Sequence, residues 1–173
     1  TFPGIFTSTG LFGAGPYTSA WIWIFWHGGF PLFVIISALI RAMFGHTPVS
    51  ASDVGPWTWS LIGGPIVLCA GLCLFALYGG LPPAFHPLER NQAFALDPAA
   101  LVTWALNVTA LLVVVMSGRL RVLLDQWLMI AMLSCFVDTT LNFMSMARFS
   151  EGWYIARIFS MLAPGVVVGL LVW

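Results

Sequence analysis

Apolar residues fall into five long runs in this chain, at residues 17–41, 58–79, 99–117, 122–147 and 152–173. Each run meets the length of about 20 residues that an α-helix needs to cross the hydrocarbon layer of a bilayer. The pattern predicts an all-α fold, a polytopic transmembrane helix bundle with five spanning helices, forming one integral-membrane domain over residues 1–173. The polar and turn-forming residues collect between the runs. Residues 1–16, rich in Gly, Pro and Thr, read as an ordered loop, and residues 42–57 carry Gly45, Pro48, Gly55 and Pro56. Residues 80–98 form the longest connection, with Pro82, Pro83, Pro87 and Pro98, and a short interfacial turn is expected around residues 88–94. The remaining two connections are short, so the last three helices are expected to be consecutive antiparallel neighbours.

Arginine placement gives the orientation. Arg41, Arg119 and Arg121 lie on one side, whereas Arg90 and Arg148 lie on the other beside Glu89 and Glu151. The positive-inside rule puts residues 42–57 and 118–122 in the cytoplasm, with Thr1 outside and Trp173 inside. Tryptophans 21, 23, 57, 59, 127, 153 and 173 cluster near helix ends, as in an interfacial belt. Trp26 and Trp104 lie deeper, where bundle packing or stacking on a ligand would use them.

Composition sharpens this picture. Of 173 residues, 60% are hydrophobic and 7% charged, with a mean hydropathy of +0.98, whereas ordinary soluble domains are about 25% charged. The six basic residues are all arginines, balanced by six acids to zero formal charge. That balance leaves no basic footprint for nucleic acid and no polybasic segment for docking on anionic lipid. Cys69, Cys73 and Cys135 all sit in apolar runs, so they are expected to be free thiols without a metal.

Against this background Asp138 stands out, because a charge at membrane depth costs roughly 2.5–3.5 kcal/mol and marks a site. At 1.5 Å per residue, His27 and Asp138 lie about 15 Å and 14 Å from the outer face, Asn107 about 12 Å and Arg157 about 8 Å. Asn142 shares a helix face with Asp138, joined there by Thr139 and Ser145. The polar layer is either a ligand or proton site, with Asp138 as acceptor and Arg157 or His27 as partner, or a buried Asp138–Arg157 pair that fixes two helices. His27 alone would otherwise donate to a backbone carbonyl or a hydroxyl. Heme ligation is not expected, since His46 and His86 are in loops, and no cofactor can be named. No nucleophile–base spacing, HExxH, GxSxG or phosphate loop is present, so the chain is not expected to be an enzyme. Gly28, Gly29 and Pro31 should bend the first helix, and Gly63, Gly64 and Pro65 the second. Gly165 to Gly169 form a GxxxG that permits close helix approach, within the bundle or across a dimer.

Several segments together carry a resemblance. They are Thr1-Phe-Pro-Gly4, residues 10–15 (GLFGAG), residues 26–32 (WHGGFPL), residues 125–128 (DQWL) and the run from Arg148 to Tyr154 (RFSEGWY) followed by Arg157. With Asp138, they make nearly the whole chain similar to the membrane-associated sensor (MASE) domains of the fourth class. The resemblance implies an N-terminal input module of a bacterial GGDEF diguanylate cyclase or histidine kinase, in the inner membrane. It also implies further helices before Thr1, which lacks an initiator Met, and a cytoplasmic output domain after Trp173. His27, Asp138, Arg148, Trp153, Tyr154 and Arg157 are the positions that match the family's motifs, and the ligand is not implied. Membrane lipid and a homodimer or partner membrane subunits are the expected partners. The rival expectation is an accessory or structural subunit of a larger inner-membrane complex that binds partner helices, lipids or pigments.

Overall fold

The computed structural model describes residues 10–15, 17–45, 47–82, 98–117, 123–144 and 150–172. Among these the fold is all-helical, with α1 over Thr18–Phe44, α2 over Ala51–Tyr78, α3 over Pro98–Ser117, α4 over Leu123–Met144 and α5 over Glu151–Val172. By length and composition four segments among the described residues can cross a membrane: Thr18–Phe44, Ala51–Tyr78, Pro98–Ser117 and Asp125–Met144. The five spanning helices read from the sequence are thus reduced to four. The 22-residue α5, with Glu151 in its first turn and Pro164 inside, is not among them. The expected turn at residues 88–94 lies outside the described residues.

One boundary differs by about two helical turns. The reading of residues 42–57 as loop gives way at Ala51, where α2 starts, because Ser50 takes the extended backbone of an N-cap (φ −61°, ψ 142°). Asp53 in the first turn complements the helix dipole, and its N–H bonds to the Ser50 carbonyl at 2.9 Å. Gly55 and Pro56 are carried inside the helix.

The chain divides into two compact units, one of residues 1–25 and 44–84, the other of residues 26–43 and 85–173. In the first, the start of α1 runs beside the end of α2. Thr18 Oγ1 accepts from the Gly15 N–H at 3.0 Å and donates to the Ala76 carbonyl at 3.3 Å. Trp21 Nε1 donates to the Pro82 carbonyl at 2.9 Å, and the rings of Phe25 and Phe75 stack 6.5 Å apart. Gly80, at φ +59°, lets the chain turn just after α2. Most large apolar side chains of α2 point outward, including Trp57, Trp59, Leu61 and Val67. That is a face for lipid or for other helices.

The second unit holds the core. Its helices present seams with steps of three and four residues: His27, Pro31, Val34 and Ala38 on α1, and Ala100, Thr103, Asn107, Ala110 and Val114 on α3. On α4 the buried positions include Asp125, Ala131, Met132, Cys135, Asp138 and Thr139. Val34, Ala110, Val114 and Met132 form one apolar cluster, with Phe30, Leu111 and Leu128 against it. α3 packs on α4, and α4 on α5. The seams are polar at one level (His27, Thr103, Asn107, Asp138, Thr139) and apolar at the next, where that cluster sits.

The structure bears on two packing expectations. α1 continues as helix through Gly28, Gly29 and Pro31. Among the described residues, a Cβ at Gly165 or Gly169 would meet nothing within 4 Å, so the GxxxG makes no close approach inside this bundle.

The 28-residue length of α2 generates a topological prediction. In a cysteine-free background, Thr47→Cys and Leu81→Cys should react with impermeant maleimide from opposite faces of the membrane. Labelling of both from one face would show that α2 does not cross.

Candidate functional site

The centre of the polar layer is a contact between His27 Nε2 and Asp138 Oδ2 at 2.6 Å, with side chains 2% and 1% exposed. At that distance a proton lies between the two atoms. The hydrogen bond is charge-assisted when the imidazole is the protonated partner. Lipid offers neither group a partner, so the two must find each other inside the bundle.

Backbone chemistry explains why α3 joins them. In an α-helix the N–H of residue 31 would serve the carbonyl four residues earlier, which is that of His27, but Pro31 has no N–H. Asn107 Nδ2 donates to the His27 carbonyl instead, at 3.0 Å, and also to the Thr103 carbonyl at 2.9 Å. Gly28 faces α3 here, where a Cβ would make an ordinary contact with Thr103 Oγ1 at 3.7 Å. With both carbonyls on its nitrogen, the orientation of the Asn107 amide is fixed. Its Oδ1 is buried and has no hydrogen-bond partner among the described residues.

The other oxygen of Asp138 leads toward α5. Asn142 Nδ2 donates to Asp138 Oδ1 and to the Asp138 carbonyl, both at 2.8 Å. This leaves Asn142 Oδ1 to accept from Arg157 Nη2 at 3.4 Å. The Arg157 guanidinium carbon also lies 4.9 Å from the centre of the Trp153 ring, a cation–π contact. Tyr154 meets Trp153 edge-on at 5.1 Å and is itself exposed.

The polar layer therefore contains His27, Asn107, Asp138 and Asn142, with Arg157 and Trp153 at its margin and Tyr154 one contact further out. The direct Asp138–Arg157 ion pair expected from depth is not formed among the described residues. His27 and Asn142 occupy the two carboxylate oxygens, and the axial offset puts Arg157 opposite Asn142 rather than Asp138. Thr139 is buried but satisfies itself on the Cys135 carbonyl at 2.8 Å, while Ser145 and Arg148 lie outside the described residues. Trp104 donates to Thr140 Oγ1 at 3.1 Å and packs near Phe136, which makes it a bundle residue. Trp26 lies against the His27 ring at 4.7 Å. The three cysteines are free, with Cys135 buried.

Sequence reasoning misses a second contact on the same helix pair. Arg41 Nη1 donates to Asp125 Oδ1 at 2.7 Å. Between the two contacts α1 advances from 27 to 41 and α4 from 125 to 138, about 20 Å on each helix, which matches an antiparallel pair. That equality of spacing is a signal the sequence contains.

Comparison with known proteins gives one match. The whole chain, residues 1–173, fits the model of the MASE4 family, described as a membrane-associated sensor, integral membrane domain. No curated protein and no solved structure matches.

The proline argument yields a double-mutant test. Asn107→Ala alone should destabilise the protein by about 1–3 kcal/mol, because it strands the buried His27 carbonyl. In a Pro31→Ala background, which returns an N–H to the His27 carbonyl, the same change should cost distinctly less. Equal losses in the two backgrounds, measured by denaturation in detergent, would refute the compensation.

Proposed function

Because this chain belongs to the MASE4 family of membrane-associated sensor domains, we propose that it is the sensory input module of a bacterial inner-membrane signalling protein. In this reading α5 crosses the bilayer as the other helices do, and the C-terminus faces a cytoplasmic output domain of the GGDEF or kinase type. The module carries no catalytic step of its own. A ligand- or lipid-dependent change at the polar layer moves α5, and the protein works as a homodimer in the lipid bilayer, without nucleic acid.

One observation carries the reading. A chain of hydrogen bonds runs from His27 on α1 through Asp138 and Asn142 on α4 to Arg157 on α5. Such a chain lets occupancy or protonation at one helix bias the position of another. It transmits a signal only when the stimulus favours one of two arrangements over the other. The second reading, an accessory subunit whose outer helices bind partners in a larger complex, requires the exposed apolar face of α2 to meet other helices rather than lipid.

The relay predicts a measurable displacement. Spin labels at Ile130 and Val168, both exposed, report the distance between α4 and α5. Asp138→Asn should move that distance by about 1–2 Å, the size of helix shifts in switching proteins. Asn142→Leu cuts the relay while leaving His27, Asp138 and Arg157 in place. In that background, Asp138→Asn should leave the distance unchanged. A shift that survives Asn142→Leu would overturn transmission by this route.

A further inference from the structure

We propose that Arg157, flanked by Trp153, forms a binding site for a phosphate oxyanion, and that this anion is the ligand class read by the polar layer. The inference rests on the sensor reading for its consequence, but the site itself stands on geometry.

A guanidinium has five N–H donors. In Arg157 one of them makes a long bond of 3.4 Å to Asn142, and the group forms no ion pair among the described residues. Trp153 covers one face of the guanidinium, which leaves its edge for an acceptor. Among the described residues no nearby carboxylate competes. Asp138 is engaged through both oxygens, by His27 and Asn142, and Asp125 belongs to Arg41. Glu151 is six residues before Arg157 on α5, about 9 Å along the axis and roughly 120° around it, so it faces elsewhere.

Electrostatics favours an anion at this point. The Arg157 guanidinium is positively charged at any pH a cell meets. An arginine almost two turns into an apolar helix is costly unless an anion or the membrane surface receives it. The planar fork of a guanidinium matches two oxygens of one phosphate, and an aromatic ring on its face holds the plane in position. Trp153 and Tyr154 are residue types of the membrane interface, which is the level at which lipid phosphates lie. The same phosphate chemistry is offered by a phospholipid headgroup and by a soluble phosphate compound. In either case an oxyanion on the fork competes with Asn142 for the guanidinium, and so loosens the last link between α4 and α5.

Native mass spectrometry of the intact protein in detergent tests the site. With added phosphatidylglycerol the wild type should retain a lipid adduct, whereas diacylglycerol, which lacks the phosphate, should leave none. Arg157→Gln should lower retention about tenfold, and Arg157→Lys, which keeps charge but not the fork, should lower it less. Should Arg157→Gln fail to fold by circular dichroism, Trp153→Leu keeps the guanidinium and should still weaken retention. Retention unaffected by millimolar inorganic phosphate assigns the headgroup as the source. Displacement of the lipid by inorganic phosphate assigns a soluble phosphate. Equal retention of diacylglycerol, or wild-type retention by folded Arg157→Gln or Trp153→Leu, would overturn the site. Phosphate-dependent retention that leaves the α4–α5 spin-label distance unchanged would instead overturn the sensor coupling and leave the site standing.

Discussion

The arrangement of the second unit depends on one requirement: Asp138 is buried among apolar helices and must be satisfied there. Lipid cannot do this, so the carboxylate takes His27 on one oxygen and Asn142 on the other. Removing one member of a buried pair leaves an uncompensated group and typically costs about 3–5 kcal/mol. A contact of that kind fixes how α1 lies along α4, since a slip of even one residue would break it. Arg41 and Asp125 repeat the constraint about 20 Å away along the same two helices. Two polar contacts at matching intervals define direction and offset, while the apolar side chains between them fill space.

Pro31 shows how a backbone defect becomes a specific contact. Proline removes a hydrogen bond from α1, yet the helix runs on, and the freed carbonyl belongs to the residue that meets Asp138. Asn107 repairs the loss and in doing so ties α3 to the same layer. Proline and asparagine on two helices thus act as a unit, and His27 is held from both its backbone and its ring.

Much of this is legible in the sequence, for physical reasons that also explain what is not. Apolar run length reveals the five long helices of the described residues, and counting residues from the membrane surface places His27, Asn107, Asp138 and Arg157 in one layer. Depth already ranks Arg157 about 6 Å nearer the outer face than Asp138, which is the level of Asn142 one turn further along α4, where the structure pairs it. The expected pair with Asp138 rests instead on charge and on the reach of the arginine side chain. The start of α2 escapes the sequence pattern because Gly55 and Pro56 signal a turn, whereas the helix begins after the extended Ser50, with Asp53 in its first turn, and carries both residues inside it. The Arg41–Asp125 contact is open to the same spacing argument that places the polar layer, once both charges are treated as a pair rather than as orientation markers.

The lengths of the contacts indicate where this layer can give. The bonds joining α1, α3 and α4 are short: 2.6 Å at His27–Asp138, 2.8 Å at Asp138–Asn142 and 3.0 Å at Asn107–His27. The bond to α5 is 3.4 Å, from a guanidinium whose ring partner, Trp153, sits on α5 itself. Hydrogen bonds weaken as they lengthen, so the layer is stiff across three helices and slack at the fourth. The Asn142 amide cannot turn over to tighten it, because its nitrogen is held by the carboxylate and the carbonyl of Asp138. Within this layer the link to α5 is therefore the one that loses least by lengthening, while the packing of α5 along α4 outside the layer keeps the helix seated.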